Sequence, residues 1–371
     1  MARFNLKTKV YSGIGSLKVL ERIRNKTVWI VCDAFLADSD NLQLVLKHLD
    51  ASNQVYTYSD IQPDPPIATV VAGIERLVKI KPNVVIGFGG GSAIDAAKAM
   101  VFFGQPIGVS IEQCIAIPTT SGTGSEVTSA AVISDPESKI KYPLFDERLF
   151  PDIAILEPKL VISVPPDVTA NTGMDVLTHA LESYVSTKAS DYSDALAEKS
   201  TRLVSGYLVA AYLDGHDLLA REKLHNASNM AGIAFSHAGL GLNHAIAHQL
   251  GGQFHIPHGL ANALLLPETI RFNALEPNSR RKYAQLAELC GVITGRSSDE
   301  QAVDALIAHV RNLRRRMNMA DSLKKLGVSS YQVKKAVPDI IKAALLDATL
   351  VTNPIQPTAR QIEALVNNII E

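Results

Sequence analysis

Hydrophobic patterning changes once along this 371-residue chain, and that change restricts the fold more than any single motif does. Up to about Pro165, short β-branched runs recur at 27–33, 55–58, 83–88, 114–117 and 152–156. Runs this short and this apolar are strands covered on both faces, which have no polar side to show. Between them lie helical stripes, Leu17, Leu20 and Ile23 within 14–24, and Val70, Val71, Ile74 and Leu77 within 67–79. The alternation predicts an open, parallel α/β sheet with helices on both faces. Beyond residue 165 the strand signals stop. Leu196, Leu203, Val204, Tyr207, Leu208 and Ala211, then Val303, Leu306, Ile307, Val310, Leu313 and Met317, repeat at helical spacing and predict an all-α second domain. The expected division is 1–165 and 166–371, and a hydrophobic content of 47% suffices for two cores. The basic run Arg314, Arg315 and Arg316 reads as a solvated helix end. Thr358 with Gln361 reads as a capping box that opens a last helix.

Charge excludes whole classes of partner. Lys and Arg total 36 against 37 Asp and Glu, so no global field gathers nucleic acid or an anionic membrane, and small molecules or other proteins are the expected partners. The three cysteines, Cys32, Cys114 and Cys290, form no Cys-x-x-Cys pair, which argues against a disulfide framework and for a reducing compartment. The N-terminal residues lack a signal-peptide core and no apolar stretch reaches membrane-spanning length, so a cytoplasmic protein is expected.

Two loops suit a dinucleotide. NVVIGFGGGSAIDAAKAM, residues 83–100, runs from a strand through Gly87, Gly89, Gly90, Gly91 and Ser92 into a helix. Glycines let backbone approach a ligand, and the helix start offers free N–H groups and partial positive charge, a cradle for pyrophosphate. The spacing only approximates the Rossmann fingerprint, and the absence of Gly-Lys-Ser/Thr excludes a P-loop. PTTSGTGSE, residues 118–126, adds hydroxyls from Thr119, Thr120, Ser121, Thr123 and Ser125 at a strand's carboxyl end, where open α/β sheets bind ligands. Asp33 ends an early strand; it either bonds ribose hydroxyls, favouring NAD over NADP, or caps the following helix.

The second domain carries a metal box. Of ten histidines, His225, His237, His244, His248, His255 and His258 crowd into residues 225–258. Asp175 and His179 are four apart in GMDVLTHALES, so both leave one helix face; His244 and His248 repeat that spacing in LNHAIAHQLGG, and His258 follows in IPHG. Three imidazoles and a carboxylate suit iron, zinc or manganese, with affinity order favouring zinc over iron. A zinc-protease motif is excluded because Ala245 stands where His-Glu-x-x-His needs its glutamate. His237 and His255 have no partner at ligand spacing and are assigned to packing or a pocket rim.

Together, GGGSAIDAAKA, PTTSGTGSEVTS, GMDVLTHALE and GLNHAIAHQLGG with PHGLANALLLP resemble the iron-containing (group III) alcohol dehydrogenases over nearly the whole chain. Within that family the likeness is greatest to the branch that handles 1-propanol in propanediol-utilisation microcompartments. The resemblance implies a dehydroquinate-synthase-like fold with the active site in the cleft between its domains. It also implies Fe(II), with zinc as the alternative, on Asp175, His179, His244 and His258. NAD(H) contacts are implied at Asp33, Gly89, Gly90, Gly91, Ser92, Asp95, Thr119, Thr120, Ser125 and Lys141.

The expected reaction moves hydride between a nicotinamide and a short-chain aldehyde or alcohol, propanal and 1-propanol in the first place. His248 is the candidate proton relay or else a structural histidine, and Phe235 lines the substrate pocket or packs in the core. A polyol or lactaldehyde dehydrogenase of the same fold, an NAD- and metal-dependent lyase, and an idle microcompartment scaffold are the competing readings. A homo-oligomer is expected, with a microcompartment aldehyde dehydrogenase or shell as a possible partner.

Overall fold

The computed structural model describes residues 4–136, 140–293 and 295–371, with backbone alone at 140 and 141. Contacts divide the chain into two compact units, Asn5–Val164, and Pro165–Glu371 together with Phe4.

The first unit runs β1 (Lys9–Ser12), β2 (Thr27–Asp33), α1 (Ala34–Ala37), α2 (Asp40–Lys47), β3 (Gln54–Ile61), α3 (Ile67–Ile80), β4 (Val84–Gly89), α4 (Gly91–Gly104), β5 (Gln113–Pro118), β6 (Ala130–Asp135), β7 (Ile140–Phe145) and β8 (Ile153–Leu156). Six strands form one parallel sheet in the order β1-β8-β5-β4-β2-β3. Burial follows that order, since β4 is buried along its whole length while the edge strand β3 shows half its residues to solvent. Successive β2 side chains go to opposite faces. Val28, Ile30 and Cys32 pack with Leu17, Leu20 and Leu42, whereas Trp29 and Val31 pack with Tyr58, Leu77 and Met100. Within β4, a Cβ at Gly87 would come within 3.1 Å of the Ala97 Cβ and 3.2 Å of the Ile94 Cα, so the bare glycine is what lets α4 lie close on the sheet. The thiols are free, and burial pushes Cys32 and Cys114 up to about 12, far from reactive thiolates.

The structure corrects the sequence reading in three places. The stripe at 14–24 is a 3₁₀ helix, Ser16–Arg22, not an α-helix; Leu17, Leu20 and Ile23 recur at three, the period of that tighter helix. The short edge strand β1 and the antiparallel hairpin β6–β7 were not expected, and neither carries a long apolar run. Arg314 is buried, not solvated, and only Arg315 and Arg316 are exposed.

The second unit is helical: α5 (Pro166–Val185), α6 (Asp191–Leu213), α7 (Leu218–Ala238), α8 (Leu242–Phe254), α9 (His258–Asn273), α10 (Pro277–Leu289), α11 (Asp299–Arg316), α12 (Ser330–Leu346) and α13 (Ala359–Asn367). It holds two cores. Helix α9 feeds both, sending Ala263, Leu266 and Ile270 into one and Leu260, Ala261, Leu264 and Leu265 into the other. A helix buried on all sides must satisfy its backbone internally. Pro267 inside α9 has no N–H for the Ala263 carbonyl one turn earlier, and Arg314 Nη1 donates to that carbonyl at 2.9 Å. The last helix opens with the expected box, Thr358 and Gln361 capping each other. Among the described residues no helix is long and apolar enough to cross a membrane.

Candidate metal centre and dinucleotide cradle

Helix α5 brings Asp175, His179 and Glu182 to one face at i, i+4 and i+7, all three buried. Helix α8 supplies His244 and His248, and α9 supplies His258 at its first residue. Close approach of α9 to α5 depends on Gly259, where a Cβ would fall 2.0 Å from the Asn171 carbonyl oxygen. That contact seats His258 beside the two donors of α5.

One ligand atom from each of Asp175, His179, His244 and His258 lies within 4.8 Å of all the others. The Nε2 atoms of His179, His244 and His258 stand 3.7, 3.5 and 3.4 Å from Asp175 Oδ1. These spacings are long for hydrogen bonds, but they match neighbouring donors around one cation: ligand distances of about 2.0–2.2 Å place tetrahedral donors roughly 3.3–3.6 Å apart. Burial raises the Asp175 carboxyl, yet His179 and His258 overcome it and hold the group well below the usual carboxylate range, so the donor is anionic. Burial takes His179 down to about 3, against the opposing pull of Asp175. For His244 burial also acts downward, but Glu182 above all outweighs it and raises the ring to about 9; a divalent ion supplies the positive charge this ring favours. The donor set therefore fits a divalent metal.

Glu182, which the sequence reading passed over, does two jobs. Its Oε1 accepts the Asn243 N–H at 2.6 Å and so caps the start of α8, while its Oε2 lies 2.5 Å from His244 Nδ1. A carboxylate can only accept, so the proton sits on Nδ1 and Nε2 is left for a metal. Gly241 makes room, since a Cβ there would sit 3.0 Å from Glu182 Oε1. The i+7 spacing from Asp175 was the available signal.

Around the cluster, the Phe235 ring lies 4.6 Å from that of His179. His248 stacks on His258 at 5.5 Å and pairs through Nδ1 with Asp347 Oδ2 at 2.8 Å. His237 stacks on Phe4 at 4.3 Å, and His255 is exposed at the left-handed end of α8 with φ 55°.

In the α/β unit the glycine turn gathers its expected neighbours at the carboxyl ends of β2, β4 and β5. Gly89 has φ 149°, and a Cβ there would meet Asp33 Oδ2 at 2.8 Å. A Cβ on Gly91 would meet Thr123 Cγ2 at 2.7 Å, and one on Gly90 would meet Thr120 Oγ1 at 3.6 Å. The Thr119 N–H donates to the Gly89 carbonyl at 2.9 Å. Among the described residues no side chain caps α4, so its first amides are able to receive an anion. Asp33 precedes α1 without capping it; burial raises its carboxyl, opposed by hydrogen bonds from its own and the Gly90 backbone. The bare, anion-seeking turn beside a carboxylate fits a dinucleotide.

Ser92 Oγ accepts the Asp64 N–H at 3.2 Å. Asp95 and Ser125 hydrogen-bond each other, and the fully buried Lys98 donates to Ser125 Oγ at 3.1 Å and to its carbonyl at 2.9 Å, which ties the hydroxyl loop to α4. The Lys141 side chain lies outside the described residues.

With this geometry in place, the comparisons define the class. Residues 7–158 match the family model for iron-containing alcohol dehydrogenase, and residues 169–370 match that for the C-terminal part of the iron-containing alcohol dehydrogenase family. The chain belongs to the iron-containing alcohol dehydrogenase family, oxidoreductases that interconvert alcohols and carbonyl compounds. Among individual relatives, it is 55% identical to the 1-propanol dehydrogenase PduQ of Citrobacter freundii, over 100% of both chains. The crystal structure of a 1,3-propanediol oxidoreductase superposes with a TM-score of 0.93 at 30% identity, covering 100% of both chains. Sulfoacetaldehyde reductase from Bifidobacterium kashiwanohense, solved in complex with NAD+, gives a TM-score of 0.87 at 28% identity, covering 100% of this chain and 98% of that one.

Proposed function

We propose that this enzyme reduces a short-chain aldehyde, propanal to 1-propanol before others, with NADH, using Fe(II) or zinc held by Asp175, His179, His244 and His258. The observation that carries the reading is the convergence of those four donors within 4.8 Å of one another, three of them buried. The substrate class rests on likeness to the 1-propanol dehydrogenase, and the cofactor on likeness to the NAD+-bound reductase together with Asp33.

A divalent cation supplies Lewis-acid stabilisation of the negative charge that the alcohol oxygen carries when hydride moves, and the nicotinamide supplies or takes that hydride. The chain does the rest. Glu182 fixes the His244 tautomer. Gly89, Gly90 and Gly91 leave the α4 amides open to pyrophosphate, helped by hydroxyls of Ser92, Thr119 and Thr120, with Asp95 and Ser125 holding the loop and Lys141 joining them. Asp33 bonds the ribose and repels a 2′-phosphate. Phe235 walls the substrate pocket beside His179. His248, oriented by Asp347, moves the proton at its Nε2.

The test is anaerobic NADH oxidation with propanal, lactaldehyde and diol panels after loading with iron or zinc. Propanal should give the largest kcat/KM; a polyol or lactaldehyde preference would overturn the substrate assignment, and no net NADH consumption would overturn the redox reading. Replacing His248 with Asn should leave metal bound and lower kcat by about 10²-fold or more, the usual worth of a general acid. An unchanged kcat would remove its role. We also propose that the enzyme acts in the cytoplasm as a homo-oligomer inside a propanediol-utilisation microcompartment, beside an aldehyde dehydrogenase; co-purification with shell proteins tests this.

A further inference from the structure

Asn262 lies one turn after His258 on α9 and is fully buried. Its Nδ2 donates to Asp175 Oδ1 at 2.7 Å and stands 3.1 Å from Nε2 of both His244 and His258. One amide nitrogen thus touches three of the four donor atoms, one from each of α5, α8 and α9. Its orientation is set by chemistry, because ionised Asp175 only accepts, so nitrogen must face it. The far end is fixed too: Asn243 Nδ2 donates to Asn262 Oδ1 at 2.9 Å, and Asn243 Oδ1 accepts from Thr269 Oγ1 at 2.7 Å. The Asn243 N–H goes to Glu182, which holds His244. A continuous chain, Asp175–Asn262–Asn243–Glu182–His244, therefore joins two ligands without leaving the interior, every member being at most 5% exposed.

We propose that Asn262 is the positioning residue of the metal centre: by occupying one lone pair of Asp175 Oδ1 it fixes the rotamer of that carboxylate and turns the remaining lone pair toward the space that the three imidazole Nε2 atoms line. The proposal rests on the metal reading above and goes beyond its four ligands to a side chain that does not ligate.

The experiment uses the full chain stripped of metal and titrated with Co(II) against a chromophoric chelator, which reads affinity and the ligand-field spectrum without any turnover. The parent should bind one ion with intense visible bands. Asn262→Leu, which keeps volume and removes the N–H, should weaken binding by about 10- to 100-fold, the usual range for outer-sphere partners of metal ligands, and alter the bands. Asn243→Ala frees the Asn262 amide to turn, so it should shift affinity in the same direction by less, and it decides the matter if the leucine variant does not fold. Parent-like affinity and spectrum in the variants, even with a lowered melting temperature, would overturn the proposal while leaving the metal site standing. A parent that binds no ion would overturn the metal reading and this inference with it.

Discussion

The two units build their candidate sites by opposite means. The α/β unit removes side chains: at the end of β4, Gly89 and Gly91 have no room for a Cβ, and α4 starts without a side-chain cap. The helical unit adds them, drawing a carboxylate and three imidazoles together and supporting two of the buried ones with a second polar group, Glu182 for His244 and Asn262 for Asp175. A site made of backbone depends on what is absent at a few positions; a site made of buried polar side chains depends on a network spread over three helices.

Substitutions can break that contrast in order of expected effect. His258→Ala removes a donor outright, and turnover with propanal should fall to background along with metal content, measured by elemental analysis; retained metal would show that the remaining three donors suffice. Gly91→Val pushes a side chain against Thr123 and displaces the phosphate-facing backbone. Losing one hydrogen bond to a charged group costs about 1.5–3 kcal/mol, so the KM for NADH should rise about 10- to 100-fold with metal content unchanged. Parent-like NADH kinetics would mean the turn does not hold the cofactor. Asp33→Ser removes the charge beside that turn and should move the ratio of kcat/KM for NADPH over NADH upward by about tenfold; a ratio that does not move assigns Asp33 to the protein's own packing. Smallest is Arg314→Met, which orphans the Ala263 carbonyl and should cost about 1–3 kcal/mol in urea unfolding, with catalysis little changed.

The contrast also accounts for how much was legible in the chain. Strands β2, β4, β5 and β8 announce themselves because both faces are buried, whereas β1 and the β6–β7 hairpin are short or half exposed and blend into loops. The glycine turn is readable because backbone function needs contiguous residues. The four donors are readable from i, i+4 spacing and local motifs. Their supports are not: Asn262 reaches Asp175 across 87 positions, Glu182 reaches His244 across 62, and Asp347 reaches His248 across 99, contacts that exist only once the helices pack. Arg314 was misread for the same reason, since nothing near it in sequence reveals that Pro267 leaves a carbonyl in need of a donor.

Diffraction from anaerobically grown crystals loaded with ferrous iron, recorded at the iron absorption edge, addresses the core claim directly. A single strong anomalous peak is expected about 2.0–2.2 Å from one oxygen of Asp175 and from Nε2 of His179, His244 and His258. A peak elsewhere, or those four side chains turned away from one another with no ion among them, would contradict that claim.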